Sequence, residues 1–273
     1  MKFVMQFEII TIFPGIFAGF FEHGIVRRAQ AEGLVTVNVH DLRGFTHDRH
    51  RTVDDRPFGG GEGMVLKPEP LAEAMESLGL GAKSKRQRPD GTCVVLLSAQ
   101  GLPFTQAVAR KLVECDRVVF VCGRYEGVDE RVNELYCDME LSIGDYVLSG
   151  GELAAAVVLD ATMRLIPGVL GNEASGEFES FGAQDAAISA GMEGVPRSQH
   201  GAGGLLDYPH YTRPAEFGGL TVPEVLLNGD HQAIRKWRRE QQIRKTLKNR
   251  PDLLEGASLS AEDARTLEKI RNE

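Results

Sequence analysis

The sequence predicts an α/β protein with a mostly parallel sheet, followed by a small all-helical C-terminal domain. Three observations carry that expectation. Short strands alternate with helical segments as far as Pro167, the strands are apolar runs of the kind found in sheets covered on both faces, and only helix signals follow.

Phe3–Ile12 reads as the first strand. Its apolar character raises the question of a leader, but Glu8 interrupts the run, Pro14 follows it and no small-residue cleavage site appears, so a buried strand is the better reading. Helical pieces follow from Pro14 to Ala31 around Gly24, then a strand at Leu34–His40, a long loop, and a helix at Pro68–Leu78. Strand Cys93–Ser98, helix Phe104–Glu114, strand Val118–Cys122, helix Val128–Tyr136, strand Met139–Ile143 and helix Glu152–Leu165 complete the first part. Residues 182–204 hold six glycines and five alanines in twenty-three positions, too little apolar surface to offset the entropy of ordering, so a mobile linker is expected. Beyond it Val222–Leu226 reads helical, Asp230 stands where it can cap a long basic helix through Lys248, and Ser260 caps a last helix with Asp263 at its third position. The division is 1–170 for the α/β domain, 171–204 for the linker and 205–273 for the helical domain.

Apolar content of 42% with 26% charged residues is ordinary for a globular enzyme, and no stretch approaches eighteen uninterrupted apolar residues, so no membrane span is expected. Cys93, Cys115, Cys122 and Cys137 lie in or beside apolar segments with no C-x-x-C spacing and no neighbouring histidine pair. Reduced structural thiols in a cytoplasmic protein fit better than disulfides or a zinc site, and no residue is assigned as a metal ligand. A net charge of −8 argues against nonspecific nucleic-acid binding by the whole surface. The average hides an asymmetry: Ile234–Arg250 carries eight basic residues and one acidic, a local net of +7, so one face suits polyanions. A solvated helix surface is the ordinary fate of such charges.

Val118–Glu152 is the stretch richest in chemistry. Two of its strands empty into glycine-rich turns, Gly123–Gly127 and Gly144–Gly151, where backbone groups can approach a ligand closely. Neither a G-x-x-x-x-G-K-[ST] nor a G-x-G-x-x-G fingerprint is present, which argues against a nucleotide phosphate. Tyr125 and Glu126 in one turn, Asp145 and Tyr146 in the other, suit a cationic heteroaromatic ligand better. Tight βα turns are the plain alternative for any one of these loops.

These residues resemble a known family. Leu97–Gly101 (LSAQG), Gly123–Val132 (GRYEGVDERV), Ser142–Glu152 (SIGDYVLSGGE) and Leu205–Pro214 (LLDYPHYTRP) are similar to the motifs of bacterial tRNA (guanine-37-N1)-methyltransferases, which are SPOUT enzymes. ITIFPGIF, DDRPFGGGEGM and LLNGDHQAIRKWRREQ extend the resemblance along almost the whole chain. It implies a sheet whose C-terminal portion threads through a trefoil knot, with three knot loops holding S-adenosylmethionine. Those loops carry over as Leu97 and Ser98; Gly123, Tyr125, Glu126 and Gly127; and Ser142, Ile143, Gly144, Asp145, Tyr146, Val147, Leu148, Gly150 and Gly151. Ile143–Leu148 is expected beside the adenine and the Gly123–Gly127 loop beside the ribose and amino-acid end.

The implied reaction is methyl transfer to N1 of guanosine 37. N1 lacks a free lone pair while protonated, so a general base must act, and charge spreading onto O6 calls for a cation. The family's base is an aspartate in a D-S-F triplet; here the triplet is Glu179-Ser180-Phe181, one methylene longer. Glu179 is expected as base with Asp207 as second carboxylate, or with Asp207 carrying more of the work. Arg164 matches the family's arginine, with a macrodipole contact at a helix end as its ordinary alternative. His210, Tyr211 and Arg213 can stack on and hydrogen-bond an unstacked RNA base, although core packing of Tyr211 is nearly as good a reading. Arg235, Lys236, Arg238 and Arg239 are expected to contact tRNA phosphates. The resemblance also implies a homodimer with shared sites and dependence on magnesium. A SPOUT methyltransferase of other target specificity, or an RNA-binding relative that has lost catalysis, stays open beside it.

Overall fold

The computed structural model describes residues 4–85, 91–171, 179–182 and 202–273. The chain divides into two compact units, Met1–Gly171 and Asn172–Glu273. Of the linker expected at 171–204, only Gly171, residues 179–182 and residues 202–204 are described; the rest lies outside the described residues.

In the first unit β1 (Met5–Thr11) leads through the short helices α1 (Ala18–Phe21) and α2 (Gly24–Ala31) to β2 (Val35–Asp41). A small antiparallel pair follows, β3 (Asp54–Asp55) with β4 (Val65–Leu66), then α3 (Pro68–Ser77). The remaining elements alternate: β5 (Thr92–Pro103), α4 (Gln106–Leu112), β6 (Arg117–Cys122), α5 (Glu130–Tyr136), β7 (Met139–Ser142) and α6 (Glu152–Met163). The five long strands form one parallel sheet in the order β2-β1-β6-β5-β7.

Side chains of the central strand β6 leave in alternate directions. Val118, Phe120 and Cys122 join Phe7, Leu97, Val158 and Leu159 in one core, while Val119 and Val121 join Leu71, Met75 and Val132 in another. Burial on both faces is why these strands are apolar at nearly every position. One buried acid, Glu8, is matched inside the sheet by Asn38 Nδ2 at 3.1 Å and His40 Nε2 at 2.6 Å on the neighbouring strand.

β5 runs past its expected end at Ser98. Leu97 and Leu102 both pair with Leu141, so residues 98–101 leave the ladder as a bulge and the strand re-forms through Pro103. The next helix starts later than expected because the Phe104 N–H donates to Ser142 O (2.7 Å) and Thr105 caps the helix by accepting from Val108 N. Two glycines let segments cross here. A β-carbon on Gly101 would lie 2.5 Å from the Leu141 amide nitrogen, and one on Gly151 would lie 2.8 Å from Cys122 Cα, so neither position has room for a side chain.

Among its described residues the second unit is helical apart from one hairpin. α7 (His231–Asn249) is capped by Asp230, whose side chain accepts from Gln232 N and Ala233 N; α8 is Asp252–Glu255; and α9 (Ala261–Arg271) opens on a reciprocal capping box between Ser260 and Asp263. Its core gathers Leu205, Ile243, Leu254, Leu267 and Ile270. The expected Val222–Leu226 helix is a single 3-10 turn, Glu224–Leu226, entered from Pro223. The hairpin, β8 (Glu216–Phe217) with β9 (Leu220–Thr221), adds to the expected helices. Gly218 and Gly219 both have positive φ at its tip, as a two-residue turn requires. That dipeptide was the available signal, and two-residue exposed strands offered no periodicity to support it.

Candidate active site

Three chain segments of the first unit surround a cavity of about 320 Å³: the β5 bulge, the turn after β6 and the turn between β7 and α6. Leu97, Ser98, Gly123, Tyr125, Glu126, Gly127, Ser142, Ile143, Gly144, Tyr146, Val147, Leu148, Gly150 and Gly151 all line it. Asp145 does not; it is exposed beside the cavity. The turns are shaped for this. Tyr125 holds a left-handed backbone (φ 58°), which costs a residue with a side chain about 1–3 kcal/mol and persists only where surroundings enforce it. The enforcing bonds are Glu126 N to Met64 O (3.0 Å) and Gly127 N to Arg124 O (3.0 Å). Tyr146 folds back, its hydroxyl donating to Ile143 O at 3.2 Å.

Arg124 was missed from sequence. It lies between two residues of the first turn, yet its guanidinium reaches into the second. Nε donates to Glu152 Oε1 (3.1 Å), Nη2 faces Glu152 Oε2 at 2.8 Å and Nη1 donates to the Ser149 carbonyl (2.9 Å). The same guanidinium stands 4.6 Å from the Phe13 ring centroid. Glu152 is 1% exposed at the first turn of α6, where the helix dipole favours a carboxylate, and it also accepts from Thr11 Oγ1 at 2.7 Å. One buried charge pair therefore joins both cavity turns to the end of β1. Beneath it burial pushes the Cys122 thiol well above its ordinary range; the Glu152 charge adds to the rise and Arg124 opposes it. Cys122 is a protonated, inert packing group. Nothing in the spacing of Arg124 and Glu152 announces the contact; a lone arginine inside a glycine turn is the only signal.

The second unit brings two of the expected catalytic segments together. Ser180 Oγ accepts from Asp207 N (2.9 Å), Phe181 N donates to Leu205 O (3.0 Å), and Gly204 N donates to Gly182 O (2.9 Å). The Glu179 triplet and the Asp207 segment thus run side by side, held by two backbone bonds and the Ser180 hydroxyl. Phe181 takes a left-handed φ of 63° to do so. Asp207 Oδ1 accepts from Tyr208 N at 2.7 Å, and Oδ2 lies 3.0 Å from His210 Nε2. Leu206 N donates to Thr246 Oγ1 (3.0 Å), which moors the segment to α7. Arg164 belongs to the first unit, as the C-cap residue of α6.

The basic helix divides its charges. Lys236, Lys245 and Lys248 are exposed. Arg238 stacks over Tyr208, 4.8 Å from the ring centroid. Arg239 turns inward instead. It makes two bonds to Asp263, at 2.8 and 2.9 Å, and further bonds to Gln242 Oε1 and Ala202 O. Burial alone would raise the Asp263 carboxyl, but these bonds and the arginine charge outweigh it and hold the group below its ordinary range. Among the described residues no group of three or more His, Cys, Asp or Glu side chains is placed to hold a metal ion.

Comparison with known proteins bears on the whole chain. The family model described as tRNA (guanine-1)-methyltransferase TrmD matches residues 5–256. A curated protein of Koribacter versatilis named tRNA (guanine-N(1)-)-methyltransferase is 56% identical over 267 residues, covering 98% of each chain. Proteins of the same name from Pelotomaculum thermopropionicum and Geobacter metallireducens are 48% identical over 266 residues and 46% identical over 263, covering 97% and 96% of this chain and 96% of each relative.

Proposed function

The chain belongs to the tRNA (guanine-1)-methyltransferase family, and from that membership we infer that it transfers a methyl group from S-adenosylmethionine to N1 of guanosine 37 in tRNA, beside the anticodon. Its parallel α/β sheet is of the SPOUT class, whose members carry a trefoil knot. The observation that carries the reading is the family match across residues 5–256, whose glycine-rich segments converge here on one cavity.

That cavity suits the cofactor. Open backbone on three segments and the aliphatic Leu141, Ile143 and Leu148 fit an adenine, and the Glu126 carboxylate fits a ligand carrying positive charge. When bound, S-adenosylmethionine supplies an electrophilic methyl group on a sulfonium. The chain supplies a shielded site, a proton acceptor and a cation. We assign Glu179 as the base that removes the N1 proton, Asp207 as the second carboxylate beside it and Arg164 as the group balancing charge at O6. Reaching N1 requires the base to leave the stack, and His210, Tyr211 and Arg213 are the side chains proposed to meet it. Arg235, Lys236 and Arg238 are proposed as phosphate contacts. Arg239, committed to Asp263, is assigned to helix packing instead.

The finer parts of the reading are a homodimer with shared sites, residence in the cytoplasm and use of magnesium. No helix among the described residues is long and apolar enough to cross a membrane. Magnesium accepts one or two carboxylates together with substrate oxygens, so Glu179, Asp207 and O6 of the RNA are the group we propose for it. The deciding experiment is methyl transfer from labelled S-adenosylmethionine to unmodified tRNA, with guanosine 37 replaced by adenosine as control. Labelling of the first alone is expected. Equal labelling of both would mean another target nucleotide, and labelling of neither would mean an RNA-binding protein without catalysis.

A further inference from the structure

Two of the cysteines meet at the base of the sheet in the first unit. Cys93 opens the buried run of β5, and Cys115, partly exposed, packs against the same core from the turn between α4 and β6. Backbone holds the two segments in register. Asp116 N and Arg117 N both donate to Gly91 O, at 2.7 and 3.0 Å, and Thr92 and Cys93 then pair with Arg117 and Val118. The two thiols are hydrogen-bonded, Cys93 donating to Cys115 Sγ, which itself lies 3.9 Å from Lys111 O in the last turn of α4. That bond draws the Cys115 thiol below its ordinary range; burial and the charges of Glu114, Asp116 and Asp138 oppose it without cancelling it. Cys122 and Cys137, by contrast, lie wholly inside the two cores.

Thiol–disulfide exchange needs an accessible attacking sulfur and a second sulfur in contact with it to resolve the adduct. We propose that Cys93 and Cys115 form a dithiol site that reacts with small-molecule disulfides and closes reversibly into a disulfide bond. The Cys115 thiolate attacks one sulfur of the small disulfide, whose S–S bond breaks; a mixed disulfide forms on Cys115 and one thiolate leaves. Cys93 then gives up its proton and attacks Cys115 Sγ, so the mixed disulfide breaks and the second thiolate leaves. The two cysteine protons end on the two released thiols, and the small disulfide is the oxidant. A reducing thiol runs the sequence backward. The site stands at the opposite end of the strands from the cavity: β5 and β6 run parallel away from it, and Cys93 to Ser98 is about 17 Å of extended chain. Closure therefore staples the two strands at their base and leaves the cavity untouched.

The full-length protein is incubated under native conditions with oxidised glutathione, and titratable thiols, linked peptides and the melting temperature are read. Two of the four thiols are expected to be lost, with Cys93 and Cys115 recovered in one linked peptide. Closing a loop of about twenty residues should raise the melting temperature of the first unit by about 5–10 °C. A reducing thiol should restore all four thiols. In Cys93→Ala, which lacks the resolving sulfur, a glutathione adduct is expected to accumulate on Cys115. In Cys115→Ser, Cys93 is expected to stay unreacted, because it is 9% exposed. Retention of all four thiols by the unaltered protein overturns the proposal, and so does a lasting glutathione adduct on its Cys115; both are read without any variant. A linked pair that lowers the melting temperature would overturn the stapling role.

Discussion

Glu179, proposed as base, opens a triplet in which the family resemblance implies an aspartate, and that triplet is pinned to the Asp207 segment by the Ser180 and Phe181 bonds. A rigid mount makes reach matter, so the extra methylene must be matched by the backbone that holds it. Glu179→Gln is expected to slow single-turnover methylation by about 10²- to 10⁴-fold, the usual worth of a general base. If Glu179→Gln keeps the wild-type rate and Asp207→Asn loses it, Asp207 is the base. Arg124 and Glu152 make a different prediction. Removing one partner of a buried charge pair costs about 3–5 kcal/mol, so Arg124→Ala and Glu152→Ala should each lower the melting temperature sharply and weaken S-adenosylmethionine binding in calorimetry. Equal affinity in the variants would mean the pair serves stability alone. The sequence made Tyr125, Glu126 and the glycines legible because motif and turn chemistry coincide there. It left Arg124 and Glu152 dark because a contact between residues 28 apart is created only by the fold.

At the scale of elements, the parallel strands and their order along the chain were readable because burial on both faces writes apolar runs into the sequence. The bulge after Leu97 was not, since Ser98–Gly101 reads as a strand end until Leu102 is seen to pair again with Leu141. Helix α7 was legible as an element and only half legible as a surface. Its charges look equivalent in sequence, yet Arg239 and Arg244 are tied to Asp263, Glu240 and Glu273 while Lys236 and Lys245 face outward. Replacing Lys236 and Lys245 by Gln is expected to flatten the slope of log affinity for tRNA against log salt by about 1.5 to 2. Arg239→Gln should instead lower the melting temperature with the slope little changed. An unaltered slope in the lysine variant would remove α7 from the RNA-binding surface.

For the whole molecule, Arg164 lies in one compact unit and Glu179 and Asp207 in the other. If sites are shared between copies, an Arg164→Ala chain and an Asp207→Asn chain, each inactive, complement one another when co-expressed, because one site of each mixed dimer draws an intact residue from each copy. About a quarter of wild-type activity is then expected from random pairing. No recovery would place all three residues of a working site on one chain. The clasp around Glu152 has one more consequence, this time for folding. It bonds to Thr11, 141 positions earlier, and to Arg124, so the cavity proposed for the cofactor has high contact order and closes only when nearly the entire first unit is in place. No fragment of that unit should retain S-adenosylmethionine affinity. By linkage the cofactor then acts as a ligand of the finished topology, adding about 2.7 kcal/mol of stability at one hundred times its Kd, and it should shift the melting of the first unit as a single cooperative step.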